Sequence, residues 1–275
     1  MVTAEVEGAI TQNAVAYCHR SDGVKLMSEI IRIRGNRADM QVFEITRGLK
    51  VGDEVEVTDE LVSVELGPGL LGQIYDGLQN PLPLLAEKTG FFMQPGNYLP
   101  SLDRTIQWEF TPLAKPGDKI SASGKLGSVP EGIFEHFIMA PFGLRDEWTI
   151  KSIVPAGKYT IDTEIAVVEK DGETRSVTMI NRWPVRIPLG VYRERLLPTV
   201  PLVTKQRIID TFFPVTRGGT YCIPGPFGSG KTVLQQITSR HADVDIVIVA
   251  ACGERAGEVV ETLREFPHLK DPRTG

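Results

Sequence analysis

The run Gly225-Pro226-Phe227-Gly228-Ser229-Gly230-Lys231-Thr232 has the residue types and spacing of a loop that cradles phosphate, G-x-x-x-x-G-K-[ST]. Glycines let such a backbone curl until successive N–H groups point at phosphate oxygens. A helix beginning at the end of the loop adds unpaired N–H groups and the positive end of its dipole. Lys231 can then reach the outer phosphates, and the Thr232 hydroxyl can ligate Mg²⁺. Pro224 and Pro226 flank Gly225 and have no N–H to offer, so the cradle must come from Phe227 onward.

A second candidate lies downstream. The β-branched run Val244–Ala251 leads into Cys252-Gly253-Glu254-Arg255. In open α/β sheets, ligands sit beyond the carboxyl ends of the strands. A carboxylate just past such an end can orient or deprotonate an attacking water, and an adjacent arginine can meet phosphate charge. Spacing leaves three readings of Glu254 open: that base, the magnesium-side carboxylate, or half of a surface ion pair with Arg255.

Other reactive side chains carry less. His19, His136, His241 and His268 have no ligand spacing. Cys18, Cys222 and Cys252 are odd in number and far apart, which is neither a disulfide framework nor a zinc pattern. Cys222 and Cys252 lie in apolar runs and are predicted to be buried, reduced thiols, which suits a cytoplasmic protein. Lys115-Pro-Gly-Asp-Lys119 with Gly124-Lys125-Leu-Gly127 faintly echoes modules that carry a cofactor on a lysine, but no lysine can be placed on an exposed hairpin tip.

The elements that must position the loop follow from patterning. Thr220–Ile223 is predicted as a strand. Thr232–His241 is predicted as a helix with Val233, Leu234 and Ile237 on one side, and Val244–Ala251 as a second strand. Together they form a βαβ unit with parallel strands. Residues 1–66 read as short alternating strands separated by Ser21-Asp22-Gly23, Arg34-Gly35-Asn36 and Val51-Gly52-Asp53, a small antiparallel barrel or sandwich. Residues 67–110, rich in Gly, Pro and aromatics, resist assignment. Residues 111–185 form a separate β-rich module with a strand over Tyr159–Glu169, a hairpin turn at Lys170-Asp171-Gly172 and a strand over Thr174–Ile180. A Pro-rich connector at 183–201 leads into the nucleotide domain, placed at 186–275.

The 275 residues carry 30 Lys+Arg against 35 Asp+Glu, a net charge of −5, so no nucleic-acid partner is expected. The N-terminus does not read as a signal peptide. The apolar run Ile246–Cys252 is far shorter than the roughly 20 residues of a membrane helix.

Three stretches together carry a family resemblance: Pro201-Leu-Val-Thr-Lys-Gln-Arg207-Ile-Ile-Asp210-Thr-Phe-Phe-Pro214, the loop Gly218–Val233, and Cys252–Arg255. With Trp183-Pro-Val-Arg186 and Gly67-Pro-Gly-Leu70 to Asp76-Gly77, they resemble the catalytic A (alpha) subunit of V-type and archaeal-type rotary ATPases across nearly the whole chain. The resemblance implies a mixed α/β protein: an N-terminal antiparallel β-barrel, an inserted β-rich bulge domain, and the first part of a RecA-like P-loop domain. It implies ATP and Mg²⁺ as ligands, with Gly225, Pro226, Phe227, Gly228, Ser229, Gly230, Lys231 and Thr232 around the phosphates. Lys231 would contact the β- and γ-phosphates, Thr232 the metal, Glu254 would be the general base, and Arg255 would neighbour the γ-phosphate. It also implies a hexameric ring alternating with non-catalytic B subunits, central-stalk and stator subunits, and a membrane rotor engaged indirectly. Such a subunit is cytoplasmic, peripheral to the membrane, and coupled to proton or sodium transport.

Departures are visible. Lys205 stands where the family commonly has Gly, and His241 where Trp is frequent. Ala256-Gly257-Glu258 resembles bacterial versions. No strand after Glu254 supplies a Walker-B aspartate, so the sequence reads as about half of a catalytic subunit. The competing readings are a nucleotide-binding protein without turnover, or another hexameric P-loop motor such as an RNA translocase or secretion ATPase. The insertion at 111–185 argues against both of those motors.

Overall fold

A computed structural model describes residues 1–90, 92–190, 194, 196–226, 228–268 and 270, without the side chain of Pro267. It falls into two compact units, Met1–Tyr192 and Arg193–Gly275.

The first unit opens with β1 (Val2–Glu5), β2 (Ala14–His19), β3 (Lys25–Arg34), β4 (Arg37–Val42) and β5 (Val55–Leu61). They form one antiparallel sheet in the order β1-β4-β3-β2-β5. Its turns are the ones the glycines mark: Gly23, Gly35 and Gly52 all have positive φ. Alternation buries Ala14, Ala16, Cys18, Leu26, Ile30, Ala38, Met40 and Val42 together. Phe43 and Ile45 fall beyond β4 and are exposed.

Next come β6 (Ser63–Leu66) and α1 (Leu82–Thr89). Pro81 caps α1, and Gly90, at φ 75°, ends it. The resistant stretch is held largely by side chains. Glu44 accepts hydrogen bonds from the Gly96 N–H (2.9 Å) and the Tyr98 hydroxyl (2.6 Å), and that hydroxyl oxygen also accepts the Met27 N–H (2.6 Å). Burial, followed by the Glu44 hydrogen bond, pushes the Tyr98 phenol far up.

Nine further strands follow: β7 (Gln107–Pro112), β8 (Lys119–Ile120), β9 (Lys125–Glu131), β10 (Phe134–Met139), β11 (Trp148–Ile153), β12 (Gly157–Thr160), β13 (Ala166–Lys170), β14 (Glu173–Val177) and β15 (Asn181–Pro184). Two four-stranded sheets result, β10-β9-β7-β12 and β14-β13-β11-β8, and β15 pairs with β6. The hairpin at Lys170-Asp171-Gly172 is present, with φ 52° at Asp171 and 84° at Gly172 as a type I′ turn requires. The strand predicted over Tyr159–Glu169 is split instead. Thr163 N–H bonds the Thr160 carbonyl, and this turn sends Tyr159 and Val168 to different sheets. Ile161 and Ile165 beside the turn are fully buried with Phe110, Val129 and Ile138.

Buried carboxylates link these pieces. Glu29, in β3, takes two hydrogen bonds from Arg186 (2.8 and 2.6 Å). Glu131, in β9, accepts the Gly69 N–H (2.7 Å) and lies 2.5 Å from His136 Nδ1.

The second unit holds α2 (Arg207–Phe212), α3 (Lys231–His241), α4 (Ala256–Glu265) and a 3₁₀ turn at Phe266–His268. Thr204 is fully buried; its N–H and hydroxyl both donate to Asp210, and the hydroxyl bond leads in holding that carboxyl below its usual range.

The two strands predicted here are not formed. Among the described residues, Thr220–Ile223 and Val244–Ala251 belong to no ladder, and Ile246, Val247, Ile248 and Val249 are exposed. β-branching favours an extended backbone, but a strand exists only where another segment lies alongside to hydrogen-bond it. The same missing cover corrects the cysteine expectation: Cys222 and Cys252 are exposed, and Cys18 alone is buried. It also leaves α3 without a buried residue, with Val233 at the surface.

Two stability predictions follow from backbone geometry. A Cβ on Gly127 would come within 2.3–2.6 Å of the Phe110 ring and the Thr111 carbonyl. Gly127→Ala should therefore lower the unfolding free energy by about 1–3 kcal/mol, read from urea denaturation. Lys205 is exposed with φ 60°, a left-handed conformation that glycine adopts without strain. Lys205→Gly should raise stability by about 0.5–1 kcal/mol in the same assay.

Candidate phosphate-binding site

The phosphate loop joins the unpaired segment at 220–224 to α3. Gly228 and Gly230 have φ of 79° and 82°, and Gly230 is the N-cap of α3. A Cβ on Gly225 would lie 2.4 Å from Ser229 Oγ and 3.1 Å from Ser229 Cβ, so Ser229, which donates to the Pro226 carbonyl at 2.8 Å, would have to move. The loop is thus a tight curl, closed at its base by Ser229 and opening onto a helix start. Among the described residues no side chain caps that start, so its N–H groups are available to an anion. Arg240 and His241 lie in the last turn, where positive charge suits the dipole. Phe227 lies outside the described residues.

Lys231 folds over the loop and donates from Nζ to the carbonyls of Gly225 and Pro226, the latter at 3.1 Å. Its ammonium is therefore held at the concave face by backbone oxygens. Thr232, next in α3, is half-buried. Its hydroxyl is a hard oxygen donor of the kind Mg²⁺ accepts, an ion that takes few protein ligands and fills its shell with water and phosphate oxygens. The residues present thus fit a magnesium-bound polyphosphate. One turn further on, Gln236 Nε2 is buried with no hydrogen-bond partner among the described residues.

Glu254 follows Gly253, whose φ of 73° turns the chain out of the apolar run. Arg255 is the N-cap of α4. The Glu254 carboxyl is pushed above its usual range, first by a hydrogen bond with the Glu258 side chain, then by desolvation and by the Glu258 charge; the Lys231 ammonium pulls it the other way. The structure therefore brings Lys231 and Glu254 into one electrostatic neighbourhood. Glu258 is a member that sequence reasoning missed. Its signal was the spacing: four residues apart across a helix start, with the later residue in the first turn.

Such an assembly defines a class: a phosphate-binding loop and nearby carboxylate in a P-loop domain that follows two β modules. Comparison with known proteins gives the family. The ATP synthase alpha/beta family beta-barrel domain matches residues 1–59, the ATPsynthase alpha/beta subunit barrel-sandwich domain matches 99–186, and the ATP synthase alpha/beta family nucleotide-binding domain matches 205–272. The V-type ATP synthase alpha chains of Treponema denticola and Borrelia hermsii are each 60% identical over all of this chain, which covers 47% and 48% of them. The V-type ATP synthase alpha chain 1 of Treponema pallidum is 59% identical, again over all of this chain and 47% of that protein. The chain belongs to the ATP synthase alpha/beta family and is similar along its length to V-type alpha chains. It spans about half the length of the curated relatives it matches.

If the closeness of Gly225 to Ser229 shapes the cradle, Gly225→Ala should weaken nucleotide binding at least about tenfold, roughly 1.4 kcal/mol. Titration with a fluorescent nucleotide checks this, and wild-type affinity would contradict it.

Proposed function

We propose that this chain supplies the phosphate-binding part of the catalytic site of a V-type rotary ATPase or ATP synthase. In this reading, hydrolysis or synthesis of ATP is coupled to proton or sodium movement across a membrane. The observation that carries the reading is Lys231 on the loop face with Glu254 in its field. Similarity to V-type alpha chains over every residue supports it.

The loop N–H groups from Gly228 onward and the start of α3 would bind the β- and γ-phosphates. Lys231 would exchange its two carbonyl partners for phosphate oxygens and neutralise charge that develops during transfer. Thr232 would hold Mg²⁺, which when bound neutralises and orients the phosphates. Glu254 would accept the proton of the attacking water, and Arg255 would stand beside the γ-phosphate. Hydrolysis then forms one bond from water oxygen to the γ-phosphorus and breaks the bond to the β–γ bridging oxygen.

The protein would work in a ring alternating with non-catalytic B subunits, linked through stalk and stator subunits to a membrane rotor. Among the described residues, no helix is long and apolar enough to cross a membrane. Attachment to the membrane would come through those partners, with the chain on the cytoplasmic side.

The test uses the full-length subunit assembled with its partners. Lys231→Ala should abolish nucleotide binding. Glu254→Gln should bind Mg-ATP with near wild-type affinity and hydrolyse it about 10²–10⁴-fold more slowly, measured by phosphate release. Normal turnover by Glu254→Gln would remove Glu254 as the base.

A further inference from the structure

We propose that Arg240 and Glu265 are positioning residues for the reaction: their ion pair clasps α4 to α3 and so sets where Glu254 stands relative to the phosphate loop. The inference rests on the reading of Glu254 as the base and adds two residues to it.

Each helix begins at one part of the site. Lys231 and Thr232 open α3, and Glu254 directly precedes Arg255, the N-cap of α4. At the far ends, the Arg240 guanidinium donates to the Glu265 carboxylate at 2.5 Å. Arg240 lies in the last turn of α3, and Glu265 is the last residue of α4. The clasp is equally far from both starts, about 14 Å of helix from Lys231 and from Ala256. A helix is stiff along its axis, so a tie at one end sets the level of the other.

The two helices are not held alike. Tyr221 Oη lies 3.2 Å from Thr238 Oγ1 in α3. Just past α3, the Asp243 N–H donates to the Val203 carbonyl at 3.0 Å, and the Asp243 carboxylate accepts Arg217 at 2.7 Å. α3 is thus the anchored member. α4 has no buried residue, so packing sets its level only weakly. Its half-buried positions, Glu258, Val259, Thr262 and Glu265, follow helical spacing and mark one covered face. Glu265 meets Arg240 from that face through a charge-assisted hydrogen bond, which is directional where apolar contact is not. A carboxylate in the last turn works against the dipole of α4, and Arg240 supplies the opposing charge while suiting the end of its own helix.

An exposed ion pair adds little to overall stability, and both side chains here are partly exposed. The level it sets still matters to the chemistry. A slip of α4 by one residue would move Glu254 about 1.5 Å, and a misplacement of about 1 Å can cost about 10²-fold in rate. Losing the pair therefore costs the fraction of time that α4 then spends out of place. Setting like charges face to face costs more.

The experiment measures single-turnover ATP hydrolysis and nucleotide affinity in the full-length subunit assembled with its partners. Arg240→Glu and Glu265→Arg should each slow hydrolysis about three- to tenfold and leave nucleotide affinity unchanged. The double variant should recover most of the rate, because the pair re-forms with its charges exchanged. Arg240→Gln and Glu265→Gln remove the attraction without adding repulsion, so they guard against misfolding and should show the same loss in smaller measure. Wild-type rates in both charge reversals, losses that multiply in the double variant, or a fall in affinity matching the fall in rate would overturn the proposal. Glu254→Gln separates the two levels. If it turns over normally, the base assignment itself fails. If it is inactive while both charge reversals behave as wild type, only the clasp fails.

Discussion

Every backbone N–H and C=O in an extended segment must be hydrogen-bonded or solvated, and how that requirement is met separates the two units of this chain. In Met1–Tyr192, all the described pairing is antiparallel and several pairs are hairpins between consecutive strands, onto which longer-range pairs such as β6 with β15 are built. β2 and β3 face each other across Ser21-Asp22-Gly23, β3 and β4 across Gly35-Asn36, and β13 and β14 across Asp171-Gly172. Antiparallel hairpins need only a competent turn, so such strands form from local chain. The apolar runs 220–223 and 244–251 flank a phosphate loop and a helix, an order that suits parallel pairing. A parallel ladder needs a crossover and a neighbour already in place. No described segment provides one, so the same β-branched chemistry that makes buried strands in the first unit leaves Ile248 almost fully exposed in the second.

That difference explains what was legible in the sequence. Turn glycines and two-residue alternation located the barrel strands and the Asp171-Gly172 hairpin because both signals act within a few residues. The split of 159–169 was hidden because Ile161 and Ile165 suit a strand and a buried turn equally well. What distinguishes them is the Phe110–Val129–Ile138 core around them, a property of three other strands. Burial of Cys222 and Cys252 was misread for a related reason: an apolar run indicates a capacity to be covered, and the cover comes from elsewhere.

The carboxylates that link the first unit were invisible at the sequence level. Glu29 and Glu131 sit in strands and Glu44 just beyond one, yet each takes hydrogen bonds from a distant segment. A buried carboxylate is tolerated only when its oxygens are satisfied. Buried Glu29 and Glu131 therefore fix the position of whatever donates to them, and half-buried Glu44 ties down Gly96 and Tyr98. Through them the segments at Gly69 and at Gly96–Tyr98 and the connector at Arg186 acquire a defined place outside regular secondary structure.

At the phosphate loop the balance reverses, and the sequence was most informative where the second unit is least regular. Gly225, Gly228, Gly230 and Lys231 can be placed from their types because the curl is local: Gly228 and Gly230 have positive φ, and a Cβ on Gly225 would displace the Ser229 hydroxyl. The loop's shape thus depends on contacts spanning no more than six residues, and it persists even though the runs on either side of it have no ladder. Glu254 is different. Its chemistry is set jointly by Lys231, about twenty residues earlier in the chain, and by Glu258, one helical turn later. A short motif can encode a tight loop, whereas the surroundings of the Glu254 carboxyl come from two elements, and only a folded arrangement reveals which two.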